Sequence, residues 1–437
     1  MTKTISWSSL SRRNFLQAGA GASALAALAP IGSGQALRAS AGAELPPAFA
    51  GLKPLGERVR PIEVAEYRGR LAQAQQLMNQ PAEGRLDGLF IPFGSSLYYF
   101  TGVRWWPSER LAALLVPRTG EAVVVCPAFE EGRLREQLRL PVEVRVWQED
   151  ESAARLAAQA FADRGVKCGR IGFEETTAFT FLEHFRREAP GYECVSADAV
   201  TIGCRARKSE HELELMRLSC EATCDVFRAV FASLREGMTQ GEIVEMVESG
   251  YARMGLHGEA LVLIGASAAL PHGSVKPGRL REGDAVLIDG GTTVEHYASD
   301  VTRTGVLGKP GAKVQAAFEI LRRAQDVALE AARAGRFSGT VDDAARGVVT
   351  GAGFGPGYKY FTHRLGHGIG LDGHEHPYLV RGSKTVLEAG MTFSNEPGIY
   401  VPGEYGVRCE DDMVVTADGP AKLLTPGFAV SLEKPLG

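Results

Sequence analysis

The chain has 437 residues, enough for two or three domains that each bury a core. Hydrophobic content of 45%, charged content of 23% and a formal net charge of −4 are ordinary globular values and give no basis for a nucleic-acid partner. No apolar run reaches the roughly 18–20 residues of a membrane-spanning helix, so no membrane role is expected once the N-terminal segment described next has been removed.

That segment reads as a targeting element. Ser11-Arg12-Arg13-Asn14-Phe15-Leu16 precedes a weakly apolar stretch rich in Ala and Gly, from Gln17 to Pro30. Ala39-Ser40-Ala41 then offers small residues at cleavage spacing. Basic, apolar and small-residue regions in that order make an export signal, and the paired arginines specify the twin-arginine route. Residues 1–41 are therefore expected to be a signal, with the mature chain starting near Gly42 and acting in the periplasm or outside the cell. A linker follows over 42–59.

From Arg60 to Met78 the pattern predicts an amphipathic helix. Gly88 to Pro92 reads as a buried strand and Leu97-Tyr98-Tyr99-Phe100 as a second. Leu111–Val116 and Ala122–Cys126 form a hairpin around Arg118-Thr119-Gly120, and Ala153–Arg164 is helical. Residues 60–204 thus make a mixed α/β domain. The basic segment Arg205-Ala206-Arg207-Lys208-Ser209 marks the boundary, with Ser209 and Glu212 placed to cap a new helix reciprocally. Helices are expected over Glu210–Leu234, Thr239–Met254 and Lys313–Ala334, among strands rich in Gly and acidic residues. The seven cysteines are scattered, with no Cys-x-x-Cys pair, and read as mostly buried, structural residues. A protein exported already folded does not depend on disulfides made outside.

Acidic residues interrupt two strongly β-forming regions. Ala285-Val286-Leu287-Ile288 ends in Asp289, and the next strand reads Tyr297-Ala298-Ser299-Asp300-Val301-Thr302. A hairpin with Val294 and Glu295 at its tip sets Asp289 opposite Asp300. Facing residues have Cβ atoms about 4.5–5.5 Å apart, and like charges at that distance destabilise a sheet unless a cation lies between them. Downstream, Ser394-Asn395-Glu396-Pro397-Gly398 turns at Pro402-Gly403 and returns through Val407-Arg408-Cys409-Glu410, opposing Glu396 and Glu410.

Four of the nine histidines lie in the Gly-rich stretch from His363 to His376. Its glycines rule out the helical His-Glu-x-x-His zinc motif, and in extended chain His363 and His367 share a face. Four carboxylates and one imidazole form an oxygen-rich donor set. Such a set favours hard or borderline divalent ions, Mn²⁺ ahead of Zn²⁺, with Co²⁺ also compatible. Bridging carboxylates can hold two such ions about 3.5–4 Å apart.

These stretches resemble the pita-bread metallopeptidases, in the branch of aminopeptidase P and prolidase. The resemblance is carried by Leu287-Ile288-Asp289-Gly290-Gly291, Ser299 to Thr304, His363 to His376, Asn395-Glu396-Pro397-Gly398 and Arg408 to Asp412, in the family's order and spacing. It covers the chain closely from about Arg205 to the C-terminus, and more weakly over Arg60–Thr201 as a creatinase-type N-terminal domain. It implies an α/β N-terminal domain followed, over 205–437, by an α+β pita-bread catalytic domain: a curved antiparallel sheet covered by helices. It implies five ligands for two divalent metals, Asp289, Asp300, His367, Glu396 and Glu410, with Asp300 and Glu410 bridging. His272 matches a histidine beside the scissile bond, His363 and His374 match pocket histidines, and Arg408 matches an arginine beside the last ligand. His376 falls at a variable position, and Cys409 stands where an aliphatic residue is commoner.

The implied activity is hydrolysis of the bond between an N-terminal residue and a following proline, in a homodimer. Glu396 would relay the proton of an activated water. His272 and His374 would stabilise charge on the carbonyl oxygen. The peptide substrate has proline second, its ring in an apolar pocket that Tyr378 could line. Dipeptidase and longer-peptide aminopeptidase both remain open; a dipeptidase needs a cation for the free carboxylate, for which Arg381 is a candidate. Two competing readings are a metal-free creatinase-like C–N hydrolase and a non-catalytic pita-bread binding protein. Both are expected to lose ligand positions, and all five are filled here.

Overall fold

The computed structural model describes residues 45–80, 84–276 and 278–437; the expected export signal lies outside them. Within the stretch read as a linker, Phe49, Leu52 and Leu55 are buried in the same apolar cluster as Val226, Phe227 and Val230.

The first domain runs α1 (Val64–Leu77), β1 (Gly88–Pro92), α2 (Ser95–Thr101), β2 (Ala113–Pro117), β3 (Val123–Pro127), α3 (Glu131–Gln137), β4 (Glu143–Trp147), α4 (Ala153–Asp163), β5 (Gly169–Phe173), α5 (Phe179–Glu188), β6 (Tyr192–Ser196) and α6 (Asp198–Arg205). Its six strands form one mixed sheet in the order β4-β3-β2-β1-β5-β6. The expected β2–β3 hairpin is present and antiparallel. The helix expected from Arg60 begins at Val64, because the residue before Pro61 is disfavoured in helix. Leu97–Phe100, expected as a strand, is helical within α2. Every residue from Ser96 to Thr101 is buried, so the run has no polar face to reveal its period. Gly102 stops the helix in the left-handed conformation, φ 75°, that glycine adopts without strain.

The second domain continues with α7 (Glu210–Phe231), α8 (Gln240–Arg253), β7 (Gly258–Ile264), β8 (Ala285–Val294), β9 (Tyr297–Ala298), β10 (Val301–Val306), α9 (Ala312–Ala331), α10 (Ser338–Gly351), β11 (Gly366–Gly368), β12 (Glu375–Leu379), β13 (Thr392–Asn395), β14 (Gly398–Val401), β15 (Tyr405–Arg408), β16 (Asp411–Val414) and β17 (Lys422–Leu423). Ser209 and Glu212 cap α7 reciprocally, as their spacing predicts. The unexpected α10 carries Gly339, Gly347 and Gly351, which blur its helical signal. One sheet has β10-β8-β7, with β9 on β8, and a second runs β12-β11-β13-β16-β17. Strand pairs here are antiparallel, and a bridge between Thr302 and Glu410 joins the two sheets. α7 and α8 cover β7 and β8 through Met216, Val226, Ile243, Val262 and Ile288. This is the helix-covered antiparallel architecture expected.

Candidate metal centre

The first acidic pair comes from β8 and the strand returning to it. Thr293 pairs with Ala298 and Val294 with Tyr297, so the turn is Glu295-His296, one residue beyond the expected tip. Both turn residues have positive φ, 47° and 68°, as a type I′ hairpin turn requires. The register shifts by two, and Asp289 faces Thr302 in place of Asp300. A slip of two leaves each side chain on its original face, so the two aspartates still converge. Asp412 accepts the Asp300 N–H at 3.0 Å and fixes that segment.

The second pair keeps its expected register. Gly398 faces Arg408 on one side and Asn395 faces Asp411 on the other, which places Glu396 opposite Glu410. Gln325 of α9 donates to the carbonyl of Asn395 at 3.0 Å and to Asp411 at 2.9 Å, holding both arms. Arg303, fully buried, donates to the Glu410 carbonyl at 2.6 Å.

Three groups of donors result: Asp289, Asp300 and Glu410; His367, Glu396 and Glu410; and Asp300, His367 and His374. Within each group one ligand atom per residue lies within 4.8 Å of the others. The protein leaves this acidity largely uncompensated. Burial, then the charges of Asp289, Asp412 and Glu396, holds the Asp300 carboxyl well above its usual range. Burial, then Asp300 and Glu396, does the same to Glu410. Burial pushes Glu396 up to about 8 against the pull of Arg408. Asp289 differs: burial raises it, but the Arg408 guanidinium and the Thr302 hydroxyl outweigh burial and hold it low.

His367 shows that the donors fit a cation. Its Nδ1 lies 3.0 Å from the Gly368 carbonyl, so the proton belongs on Nδ1 and the Nε2 lone pair is free. Burial depresses its basicity to a pKa of about 3, which keeps the ring neutral. Nε2 then faces Asp300 Oδ2 at 3.7 Å and Glu396 Oε1 at 3.4 Å. With both carboxyls ionised, acceptors face acceptors and repel, and a divalent ion between them removes the conflict.

The remaining expected residues divide into those at the centre and one away from it. His363 is engaged at both nitrogens, Nδ1 with the Arg364 carbonyl and Nε2 with the Tyr400 hydroxyl, each at 2.8 Å. Arg408 donates to Tyr400 at 2.8 Å, to the Pro271 carbonyl at 3.2 Å and to Asp289. Through Pro271 it steadies the exposed loop that carries His272. His374 is exposed and stacks on His367, with ring centroids 3.7 Å apart. Tyr378 faces His367 across β11 and β12 and therefore shares its side of the sheet. Arg381 is not brought to the centre: it sits on an exposed turn and pairs with Asp343 of α10 at 3.5 Å.

Comparison with known proteins places this geometry. Residues 214–417 match the metallopeptidase family M24, and residues 70–207 match the creatinase/prolidase N-terminal domain. The Xaa-Pro dipeptidase of Pyrococcus furiosus is 32% identical over 352 residues, 80% of this chain and 96% of that protein. The chain belongs to the M24 metallopeptidases. The crystal structure of dipeptidase PepE from Mycobacterium ulcerans matches 84% of this chain and 98% of its own, with TM-score 0.77 and 34% identity. Recombinant prolidase from Thermococcus sibiricus gives TM-score 0.74 at 30% identity, over 83% of this chain and 97% of its own.

The centre of this M24 enzyme also contains residues that motif reading passed over. Tyr400 links His363 to Arg408, and its even spacing from Glu396 along an extended chain is the signal that could have found it. Arg364 stands 4.2 Å over the Tyr378 ring, and its charge bears on His367, His374 and Glu396. Among the described residues it has no carboxylate partner. Its place next to His363 was the available signal.

Proposed function

We propose that the chain is a two-metal exopeptidase that hydrolyses Xaa-Pro bonds at peptide N-termini, after export by the twin-arginine route, as a homodimer. The observation that carries this reading is the His367 Nε2 lone pair facing Asp300 and Glu396 inside a cluster of under-compensated carboxylates. The Xaa-Pro specificity rests on relatives such as the Pyrococcus furiosus Xaa-Pro dipeptidase. Asp289, Asp300, His367, Glu396 and Glu410 would hold the ions, with Asp300 and Glu410 shared. The oxygen-rich donors favour Mn²⁺ over Zn²⁺, with Co²⁺ compatible. The chemistry such ions would supply there is a lowered pKa for a bound water and polarisation of the scissile carbonyl.

The chain's own groups do the rest. Glu396, ionised once cations compensate the cluster, would take a proton from the bound water and return it to the leaving nitrogen. His272 and His374 donate to the carbonyl oxygen as charge develops. Tyr378 offers an aromatic wall for the proline ring. For a dipeptide, Arg364 is the better-placed cation than Arg381, because it adjoins Tyr378 and has no carboxylate partner among the described residues. Trp106, 46% exposed beside Arg104, provides an aromatic patch for self-association.

The test is a Mn²⁺-loaded assay with a Xaa-Pro dipeptide, a longer Xaa-Pro peptide and a matched peptide lacking proline. Hydrolysis of the first two with none of the third is expected. Equal hydrolysis without metal would favour the creatinase-like reading, and none with any substrate a binding role.

A further inference from the structure

His374 is lightly anchored. Among the described residues its ring makes no hydrogen bond, and its seating comes from stacking on His367 and from its chain neighbours. Those neighbours are gripped. Two residues before it, Asp372 accepts from Arg205 at 2.6 Å; immediately after it, Glu375 accepts from Arg205 at 2.5 Å and from Lys208 at 2.5 Å. The same guanidinium reaches the first domain: it donates to Ser96 at 3.2 Å and lies 4.0 Å from Glu174. Ser95 of α2 closes the ring by donating to Asp372.

We propose that Arg205, backed by Lys208, is a positioning residue that transmits the seating of the N-terminal domain to His374 and so sets the turnover rate. The proposal rests on the reading of His374 as a donor to the substrate carbonyl.

The grip is built for rigidity. Lys208 and Glu375 are buried, with side chains 2% and 8% exposed; Lys208 takes Glu375 Oε1 and Arg205 takes Oε2, and a buried carboxylate held at both oxygens admits few alternative geometries. Gly370 makes room for it: a Cβ there would come within 2.6 Å of Glu375 Oε1 and 2.7 Å of Lys208 Cε. The anchor is itself fixed to the ligand-bearing sheets. The Lys208 N–H donates to Gly390 at 2.9 Å, Arg207 bridges to Met391 just before β13, and Gly370 accepts the Ala298 N–H at 2.7 Å, two residues from Asp300. The loop from 370 to 376 is therefore referenced at once to the metal ligands and to the first domain. A donor misplaced by about 1 Å can cost about 10²-fold in rate, so such a device has catalytic consequence without touching substrate.

The experiment uses the full Mn²⁺-loaded chain with a Xaa-Pro dipeptide. Arg205→Met is expected to lower kcat at least about 10-fold, with KM changed less than about threefold and metal content unchanged. Arg205→Lys should restore part of the loss. Combined with His374→Ala, Arg205→Met should add no further loss, because both remove the same function. Hydrogen exchange should quicken in residues 368–376 and not in β8 or β10. Glu375→Gln, which preserves shape, is expected to act in the same direction if Arg205→Met folds poorly. The proposal is overturned if the two losses multiply, if His374→Ala leaves kcat unchanged, or if exchange quickens uniformly. Absence of Xaa-Pro hydrolysis in the unmodified enzyme would instead strike the parent reading, and the exchange result would still decide the grip.

Discussion

Two regions of this molecule gather several acids close together, and they differ in how much of the charge the chain itself compensates. At the domain junction, Glu174, Asp372 and Glu375 meet Arg205 and Lys208. Burial pushes Glu375 up, but the two cations outweigh it and hold its carboxyl below the usual range, whereas at Glu174 burial prevails over Ser96 and the more distant Arg205. At the centre, Asp289, Asp300, Glu396 and Glu410 have Arg408 as their close cation, and it engages Asp289. The other three carboxyls lie above their usual range. Acidity that the chain neutralises itself is structural; acidity that it leaves exposed to mutual repulsion reserves a place for ions from outside.

The contrast is broken most severely at the shared ligands. Asp300→Asn or Glu410→Gln is expected to abolish both activity and stoichiometric metal, measured by elemental analysis and turnover on one preparation. Near-normal turnover in either variant would sink the two-metal reading. His272→Ala separates chemistry from ligation: kcat is expected to fall by roughly 10²–10³ with metal content intact. Loss of metal there would make His272 a ligand, and a lowered melting temperature with unchanged turnover would make it structural.

On the structural side, Lys208→Met strips one cation from a buried pair and is expected to cost about 3–5 kcal/mol in denaturant unfolding, with metal still bound. A change below about 1 kcal/mol would show that the junction tolerates uncompensated charge as the centre does. The smallest effect is a pH dependence. Glu396 titrates near pH 8 in the metal-free fold and near 4.5 when unfolded, so the folded state holds the extra proton between those values. The contribution of Glu396 to the stability of chelated protein should be full below about pH 4.5 and fall as pH rises towards 8, lowering Tm by about 5 °C, while Mn²⁺-loaded protein does not follow that trend. Parallel melting curves for the two forms would contradict it.

The convergence of the candidate donors was legible because period-2 alternation fixes the face of an acid even when the register is misjudged. The Asp289–Asp300 turn shows this. Glu295-His296 carries none of the Asn-Gly signal of a type I′ turn, so its position was read one residue early, yet the slip of two kept both acids on the same face. Glu396 and Glu410 were easier, because Pro402-Gly403 declares its turn. What stayed hidden depends on contacts remote in sequence. Leu97–Phe100 is buried on every side and shows no period. Arg205 and Lys208 read as a boundary because Asp372 and Glu375, more than 150 residues away, give them their meaning. Arg381 looked like a substrate cation until α10, itself veiled by glycines, supplied Asp343.

The bridge between Thr302 and Glu410 has one more consequence. Asp289 and Asp300 belong to one sheet, whereas His367 belongs to the other and Glu410 stands at its edge. The centre therefore sits on a seam, and any ion bound by both sides rivets two sheets that backbone pairing joins only lightly there. Catalytic site and mechanical fastener become the same object. Drift in either sheet would be felt first at those donors.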